Sequence, residues 1–207
     1  MYIPPFSIEP TEVVGGCIAV YRDVWKNPQD TINTIEQITS DTKSDIIFDR
    51  AFLNNNVIDI DQTRTNSHLF LTENAQKNEE LRKINNEYFD LVFSAMRYYT
   101  NKFCDNLSHF FVEGFNVLKY QTGQEYKAHF DGSTSTHRSL SPILYLNDDY
   151  TGGEIEFVHH GVTIKPSPGM LVLFPANYAY SHIAHPVKTG TKYAIVTWLH
   201  DQPQGSN

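Results

Sequence analysis

The stretch Lys119-Tyr120-Gln121-Thr122-Gly123-Gln124-Glu125-Tyr126-Lys127-Ala128-His129-Phe130-Asp131 decides how this chain is read. In a strand, residues i and i+2 point to the same face. His129 and Asp131 can therefore aim an imidazole and a carboxylate at one point. A second stretch, Tyr180-Ser181-His182-Ile183-Ala184-His185-Pro186-Val187-Lys188-Thr189-Gly190-Thr191-Lys192, brings further histidines about fifty residues later. His182, arriving from a distant strand, would complete a set of two imidazoles and one carboxylate. That set suits non-heme Fe(II), because one face of the octahedron stays open. With a water it can also hold Zn(II). A His-x-Asp pair alone is a common polar feature of strand ends; the combination is what carries weight.

Lys192 opens the apolar run Tyr193-Ala194-Ile195-Val196-Thr197-Trp198-Leu199. Lysine is rarely buried without a partner. In a strand Lys192, Ala194, Val196 and Trp198 share one side, so the ammonium either faces an anion inside or snorkels to water.

These motifs together resemble the Fe(II)/2-oxoglutarate dioxygenases, and within them the prolyl 4-hydroxylase-like branch. The resemblance rests on Tyr-x-x-Gly-Gln-x-Tyr-x-x-His-x-Asp, on the segment from His182 to Lys192 with Pro186-Val187 and Gly190 inside it, and on the strand that Lys192 opens. It covers roughly residues 110 to 201. It implies a double-stranded β-helix, a jelly-roll variant, with Fe(II) held in its mouth by His129, Asp131 and His182. It further implies 2-oxoglutarate and O2 as co-substrates, ascorbate as reductant, and a proline-containing peptide or protein as substrate. Lys192, ten positions after His182, would pair with the distal carboxylate of 2-oxoglutarate. That spacing also favours His182 over His185 as the distal ligand. By the same resemblance Tyr120 and Tyr145 contact the co-substrate, while Tyr126 and Trp198 face the substrate; Arg138 joins the substrate-facing residues through the polar loop that follows the ligand pair. Ile155 departs from the pattern, since the branch often carries Thr there.

The rest of the chain is consistent with one unit, residues 1–207, in which 1–108 is a helical support region and 109–201 the β core. An apolar content of 40% and aromatic content of 13% exclude a disordered chain. A net charge of −8 without a Lys/Arg cluster argues against a nucleic-acid partner. No apolar run is long enough to span a membrane, and the start lacks a secretory pattern, so the expectation is a cytoplasmic location. Cys17 and Cys104 sit in no metal-ligand spacing and are expected as free thiols. Oligomeric state is not legible.

Along the chain, Cys17 to Tyr21 reads as a strand and Asn27-Pro28 as the cap and first residue of a helix with Ile32, Ile35 and Ile38 on one face. Residues 40–73 give weak signals, with 46–48 and 57–60 as short extended pieces around an Asn54-Asn55-Asn56 turn. Leu81, Ile84, Tyr88, Leu91, Val92, Ala95, Tyr99 and Phe103 mark a second helix over about 76–104. From 110 onward, candidate strands are 111–120, 126–130, 140–146, 153–158, 161–165, 170–174, 180–185 and 191–199, so the fold class is mainly β with flanking α-helices. His159-His160 read as solvated turn residues. The loop from Ser133 to Arg138 reads as a mobile flap over a peptide channel. Two other functions fit less of the pattern. One is the same chemistry on another residue or a small molecule; the other is a jelly-roll that only binds.

Overall fold

A computed structural model of the chain describes residues 6–50, 63–104, 110–132 and 137–201. The expected pieces at 57–60, the Asn54–Asn56 turn and residues 133–136 of the expected flap lie outside them. In chain order the first half holds β1 (Glu12–Val14), β2 (Ile18–Tyr21), α1 (Pro28–Ser40), β3 (Asp49–Arg50), β4 (Ser67–Phe70), α2 (Leu71–Asn74) and α3 (Glu79–Phe103). The second half holds β5 (Phe110–Val112), β6 (Asn116–Gln121), β7 (Tyr126–His129), β8 (Arg138–Tyr145), β9 (Thr151–Gly152), β10 (Ile155–Phe157), β11 (Val162–Ile164), β12 (Met170–Pro175), β13 (His182–Ala184), β14 (Val187–Thr189), β15 (Thr191–Val196) and β16 (Leu199–Asp201). The large sheet runs β1-β2-β12-β8-β15-β6-β4-β3, and a smaller sheet runs β11-β10-β13-β7. Every strand pair in both is antiparallel, as in the jelly-roll that the family resemblance implied.

The large sheet is buried on both faces, and strand parity divides its side chains between two cores. On β12, Leu171 and Leu173 face the helices, whereas Met170, Val172 and Phe174 face the smaller sheet. On β15, Tyr193 and Ile195 join the helix side, and Ala194 turns inward. Lys192 therefore falls on the inner face by parity alone. Each such apolar side chain contributes about 1.5–3 kcal/mol on burial.

The helices form where the periodicity places them. Asn78 caps α3, its side chain accepting from the Glu80 and Leu81 amides. Leu81, Ile84, Tyr88, Val92, Ala95 and Tyr99 are buried on one face, and Leu91 and Phe103 are half-buried. Asn27 behaves differently from the expected side-chain cap. It sits at φ 52 and makes no side-chain bond, and its carbonyl instead accepts from Asp30 and Thr31. The expected strands at 111–120 and 191–199 each break in two, at Glu113–Phe115 and Thr197–Trp198, where the chain crosses between strand pairs. β1 pairs with its chain neighbour β2 across the Gly15-Gly16 turn, whereas β4, in a stretch of weak signal, forms against β6 far along the chain. Among the described residues, no helix is long and apolar enough to cross a membrane.

α3 is locked to the sheet by one buried phenol. The Tyr88 hydroxyl lies between the carbonyls of Pro142 and Ile195, at 3.1 and 3.0 Å, and shares its one proton with them, bridging β8 and β15. Tyr88→Phe should lower unfolding free energy by about 1–2 kcal/mol, because two buried carbonyls lose a donor while the ring packing stays. Denaturant unfolding measures it; a change below about 0.3 kcal/mol would show that the bridge is not a stabilising contact.

Candidate metal centre

β13 pairs with β7 so that His182 lies opposite His129 and Ala184 opposite Tyr126. Two steps on one strand against three on the other make a β-bulge. In a regular strand Tyr126 and His129, three apart, would face opposite ways. The bulge turns both to one face, where their rings stack with centroids 3.4 Å apart and planes 14° apart. Asp131 lies just past the end of β7, not within it. Its Oδ1 is 3.7 Å from His129 Nε2 and its Oδ2 3.9 Å from His182 Nε2. One ligand atom from each of the three lies within 4.8 Å of the others.

The orientation of each ring is fixed from behind. His129 Nδ1–H donates to the Lys127 carbonyl at 2.7 Å, and His182 Nδ1–H donates to the Tyr180 carbonyl at 3.1 Å. Each bond sets the tautomer that leaves Nε2 with a free lone pair toward Asp131. Burial pushes His129 down to about 4, with His182 adding to the effect, so that ring stays neutral. For Asp131, burial acts to raise the carboxyl, but His182, His129 and the Ser141 hydroxyl outweigh it and keep the group anionic. Ser141 Oγ donates to Asp131 Oδ2 at 2.7 Å. Two imidazole nitrogens and a held carboxylate converging on one point form a donor set fit for a divalent cation.

The three groups face one cavity. Lys192 closes its far side. It is 2% exposed, and among the described residues no carboxylate pairs with it. Its Nζ donates to the Gly153 carbonyl at 2.6 Å and lies 5.3 and 5.1 Å from the ring centroids of Tyr120 and Tyr145. Burial depresses its pKa to about 7, against a weaker opposing pull from Glu154. Burial also pushes the Tyr120 phenol up to about 12, so that side of the cavity offers neutral donors and a cation. Such a wall suits a dianionic ligand whose other end reaches the His/Asp face.

Tyr120, Tyr126, Tyr145 and Trp198, picked out from sequence, also line this cavity. Ile155 lines it too, as an apolar wall where a hydroxyl was the family expectation. His185 stays off it, its Nε2 bonded to Glu156 at 2.7 Å. Arg138 starts β8 and is not among the described residues that line the cavity. Its guanidinium bonds both oxygens of Glu113, at 2.6 and 2.7 Å, and sits 3.6 Å above the Trp198 ring. It is thereby a brace behind Trp198. His159 is exposed, as expected, but His160 stacks on Tyr180.

Sequence reasoning missed Arg64, Glu113 and His200. Arg64 reaches the cavity because an isolated β-bridge sets it opposite Tyr126, over whose ring its guanidinium lies at 5.1 Å. Glu113 collects both Arg138 and His200. Only the polar identity of these residues in otherwise apolar or unassigned stretches could have flagged them.

Residues 115–200 match the family model described as 2OG-Fe(II) oxygenase superfamily. Among curated proteins the chain is similar to probable prolyl 4-hydroxylase 9 of Arabidopsis thaliana, 31% identical over 121 residues, covering 44% of this chain and 42% of that protein. It is also similar to prolyl 4-hydroxylase subunit alpha-1 of Gallus gallus, 29% identical over 111 residues, covering 45% and 22%. The chain thus spans well under half the length of the curated relatives it matches. Among solved structures, a Trichoplax adhaerens prolyl hydroxylase in complex with a hypoxia inducible factor peptide fragment superposes with a TM-score of 0.72 at 17% identity, covering 90% of this chain and 84% of that one. A Pseudomonas putida prolyl-4-hydroxylase gives 0.66 at 16% identity, covering 91% and 94%. At these identities the superpositions speak for the fold.

Asp131→Ala should weaken Mn(II) binding, measured by calorimetry, by more than the roughly 10- to 100-fold typical of losing an outer hydrogen-bond partner. Ser141→Ala should fall within that smaller range, and His185→Ala should bind as the parent does. Loss of binding in His185→Ala with retention in His182→Ala would overturn the ligand set.

Proposed function

We propose that this chain, whose residues 115–200 match the 2OG-Fe(II) oxygenase superfamily model, is an Fe(II)- and 2-oxoglutarate-dependent dioxygenase that hydroxylates a prolyl residue in a peptide or protein. The family uses Fe(II), 2-oxoglutarate and O2, and couples hydroxylation to release of succinate and CO2. One observation carries the reading: a convergent His129/Asp131/His182 face and a buried Lys192, with no carboxylate partner among the described residues, line one cavity. Bound iron would supply the open coordination positions at which oxygen is activated beside the substrate.

The chain's own residues do the rest. His129 and His182 offer ring nitrogens and Asp131 an anionic oxygen, each held by its own hydrogen bond. Lys192 provides the charge, and Tyr120 and Tyr145 the phenols, for the distal carboxylate of 2-oxoglutarate. Leu118, Ile143, Ile155, Ala194 and Val196 wall the cavity and keep water out. Tyr126, Trp198 and Arg64 stand at the remaining wall, where a substrate enters. Arg138 fixes the Trp198 plane by stacking on it. The curated relatives and the peptide-bound neighbour, by their names, support a proline-containing peptide as substrate. The test is succinate formation with ferrous iron, ascorbate and oxygen, together with a mass-spectrometric search for one added oxygen on proline in candidate peptides. Succinate formation with no proline peptide hydroxylated would leave the dioxygenase and remove the prolyl substrate.

Lys192→Ala should raise the KM for 2-oxoglutarate by roughly 30- to 150-fold, the effect of about 2–3 kcal/mol, and leave metal affinity unchanged. Lys192→Arg should restore part of it, being cationic but larger. The pH dependence follows from the lysine's depressed value of about 7 in the free chain. A bound dianion favours the ammonium and raises that value. Affinity is therefore full below about pH 7 and weakens as pH rises above it, by at most about tenfold per unit. A KM for 2-oxoglutarate that is flat between pH 6 and 9 would contradict the buried-ammonium anchor.

A further inference from the structure

We propose that Asn147 is a positioning residue for Lys192, holding the lysine's backbone so that its ammonium stays at the co-substrate end of the cavity; the inference rests on the reading of Lys192 given above. β15 pairs with β6 along its whole length, but with β8 only from Ala194 to Val196. The Leu146 amide makes one more bond, to the Tyr193 carbonyl at 3.0 Å. Beyond it the chain after β8 leaves the sheet. On that edge the N–H of buried Tyr193 and the carbonyl of half-buried Thr191 then face a gap, where an unpaired backbone group carries a cost.

The Asn147 side chain fills the gap. Its Oδ1 accepts from the Tyr193 amide at 2.8 Å, and its Nδ2 donates to the Thr191 carbonyl at 2.7 Å. The two bonds bracket Lys192, one on each side of it in sequence. They continue the ladder with a side-chain amide where the backbone partner has gone. Nδ2 also donates to Asp149 Oδ1 at 2.5 Å. Two acceptors on one end and a donor on the other fix which way round the amide sits. At 5% exposure it has no competing water.

The loop that Asn147 opens also roofs the lysine. Its Gly153 carbonyl takes the Nζ hydrogen bond. Gly153 has φ 69, and a Cβ there would lie 2.8 Å from the Tyr150 ring and 3.2 Å from Lys192 Cδ. Loop and lysine are therefore in direct contact, and only glycine fits between them. A four-carbon stem turns a small rotation of its Cα into a large displacement of Nζ. With a single hydrogen bond at the tip, the ammonium depends on the backbone restraint for its position. That dependence makes Asn147 matter for co-substrate affinity as well as for stability.

Three variants separate these roles, measured by anaerobic calorimetry with Mn(II) and 2-oxoglutarate, and by steady-state kinetics. Asn147→Ala removes all three bonds. Asn147→Asp keeps the shape and the bond from Tyr193, but sets oxygen against the Thr191 carbonyl and the Asp149 carboxylate. Leu81→Ala, at a buried position on α3 away from β15, is the control for general destabilisation. Asn147→Ala should weaken 2-oxoglutarate binding roughly tenfold, as loss of about one buried hydrogen bond implies. Mn(II) affinity, and kcat at saturating 2-oxoglutarate, should stay within about twofold of the parent, and Asn147→Asp should be weaker still. Leu81→Ala should lower thermal stability without changing 2-oxoglutarate affinity. Should the alanine variant fail to fold, the aspartate variant carries the test. Unchanged 2-oxoglutarate affinity in a folded variant, parallel loss of Mn(II) affinity, or failure of both variants to fold would each overturn the positioning role. A parent chain that binds Mn(II) but no 2-oxoglutarate would overturn the proposed function and this inference with it. A parent that binds both, beside an unaffected Asn147→Ala, overturns the inference alone.

Discussion

The pairing that sets His182 opposite His129 is the constraint on which the cavity depends. Strand side chains alternate with period two, so a slip of one residue would send His182 to the outside and His185 toward the metal face. The register is held from both edges of β13. On one side Phe157 and Ile155 of β10 sit opposite His182 and Ala184, their side chains in the inner core. On the other, the bulge on β7 absorbs one residue and lets Tyr126 and His129 share a face. Phe174 and Phe157 pack edgewise or tilted against the His182 ring, at 4.9 and 5.8 Å. Apolar packing thus fixes a polar site, and the site's geometry is a by-product of strand order in the smaller sheet.

The second demand is electrostatic and falls on the large sheet. A lysine 2% exposed in an apolar wall is held at a desolvation cost that folding alone does not explain. The sheet meets that cost through hydrogen bonds and ring faces around the ammonium, and through backbone restraint on both sides of residue 192. On the helix face of the same strand, Tyr193 donates to Glu36 of α1, which also takes Lys119 of β6, and Tyr88 of α3 reaches the Ile195 carbonyl. β15 is therefore pinned on its outer side by helices while its inner side presents Lys192, Ala194 and Val196 to the cavity.

Much of this was legible in the sequence wherever the cause is local. Parity places Lys192 with Ala194 and Val196, helical spacing gives α3, and the mainly β core follows from short strands with turn residues between them, the family resemblance narrowing it to a jelly-roll. What was not legible depends on partners far along the chain. Arg64 lies in a stretch with no periodic signal and reaches the cavity through its bridge to Tyr126. Glu113 and His200 meet because β5 and β16 pair. Arg138 read as a loop residue because polar Ser and Thr precede it; pairing with His200 and a two-pronged bond to Glu113 draw it into β8. Asn147 sits in an Asn-Asp-Asp run that reads as a plain turn, and its side-chain ladder is visible only once β15 is beside it.

The central claim is that one iron and one 2-oxoglutarate meet in this cavity, with the keto acid on the metal and the far carboxylate at Lys192. Anaerobic titration of the chain with Fe(II) and then 2-oxoglutarate, followed by visible absorption, tests it most directly. Chelation of ferrous iron by an α-keto acid gives a charge-transfer band that neither component gives alone. The account predicts that this band saturates at one equivalent of each per chain in the parent, and needs much higher 2-oxoglutarate in Lys192→Ala. A parent chain that binds ferrous iron but develops no band with 2-oxoglutarate would contradict it.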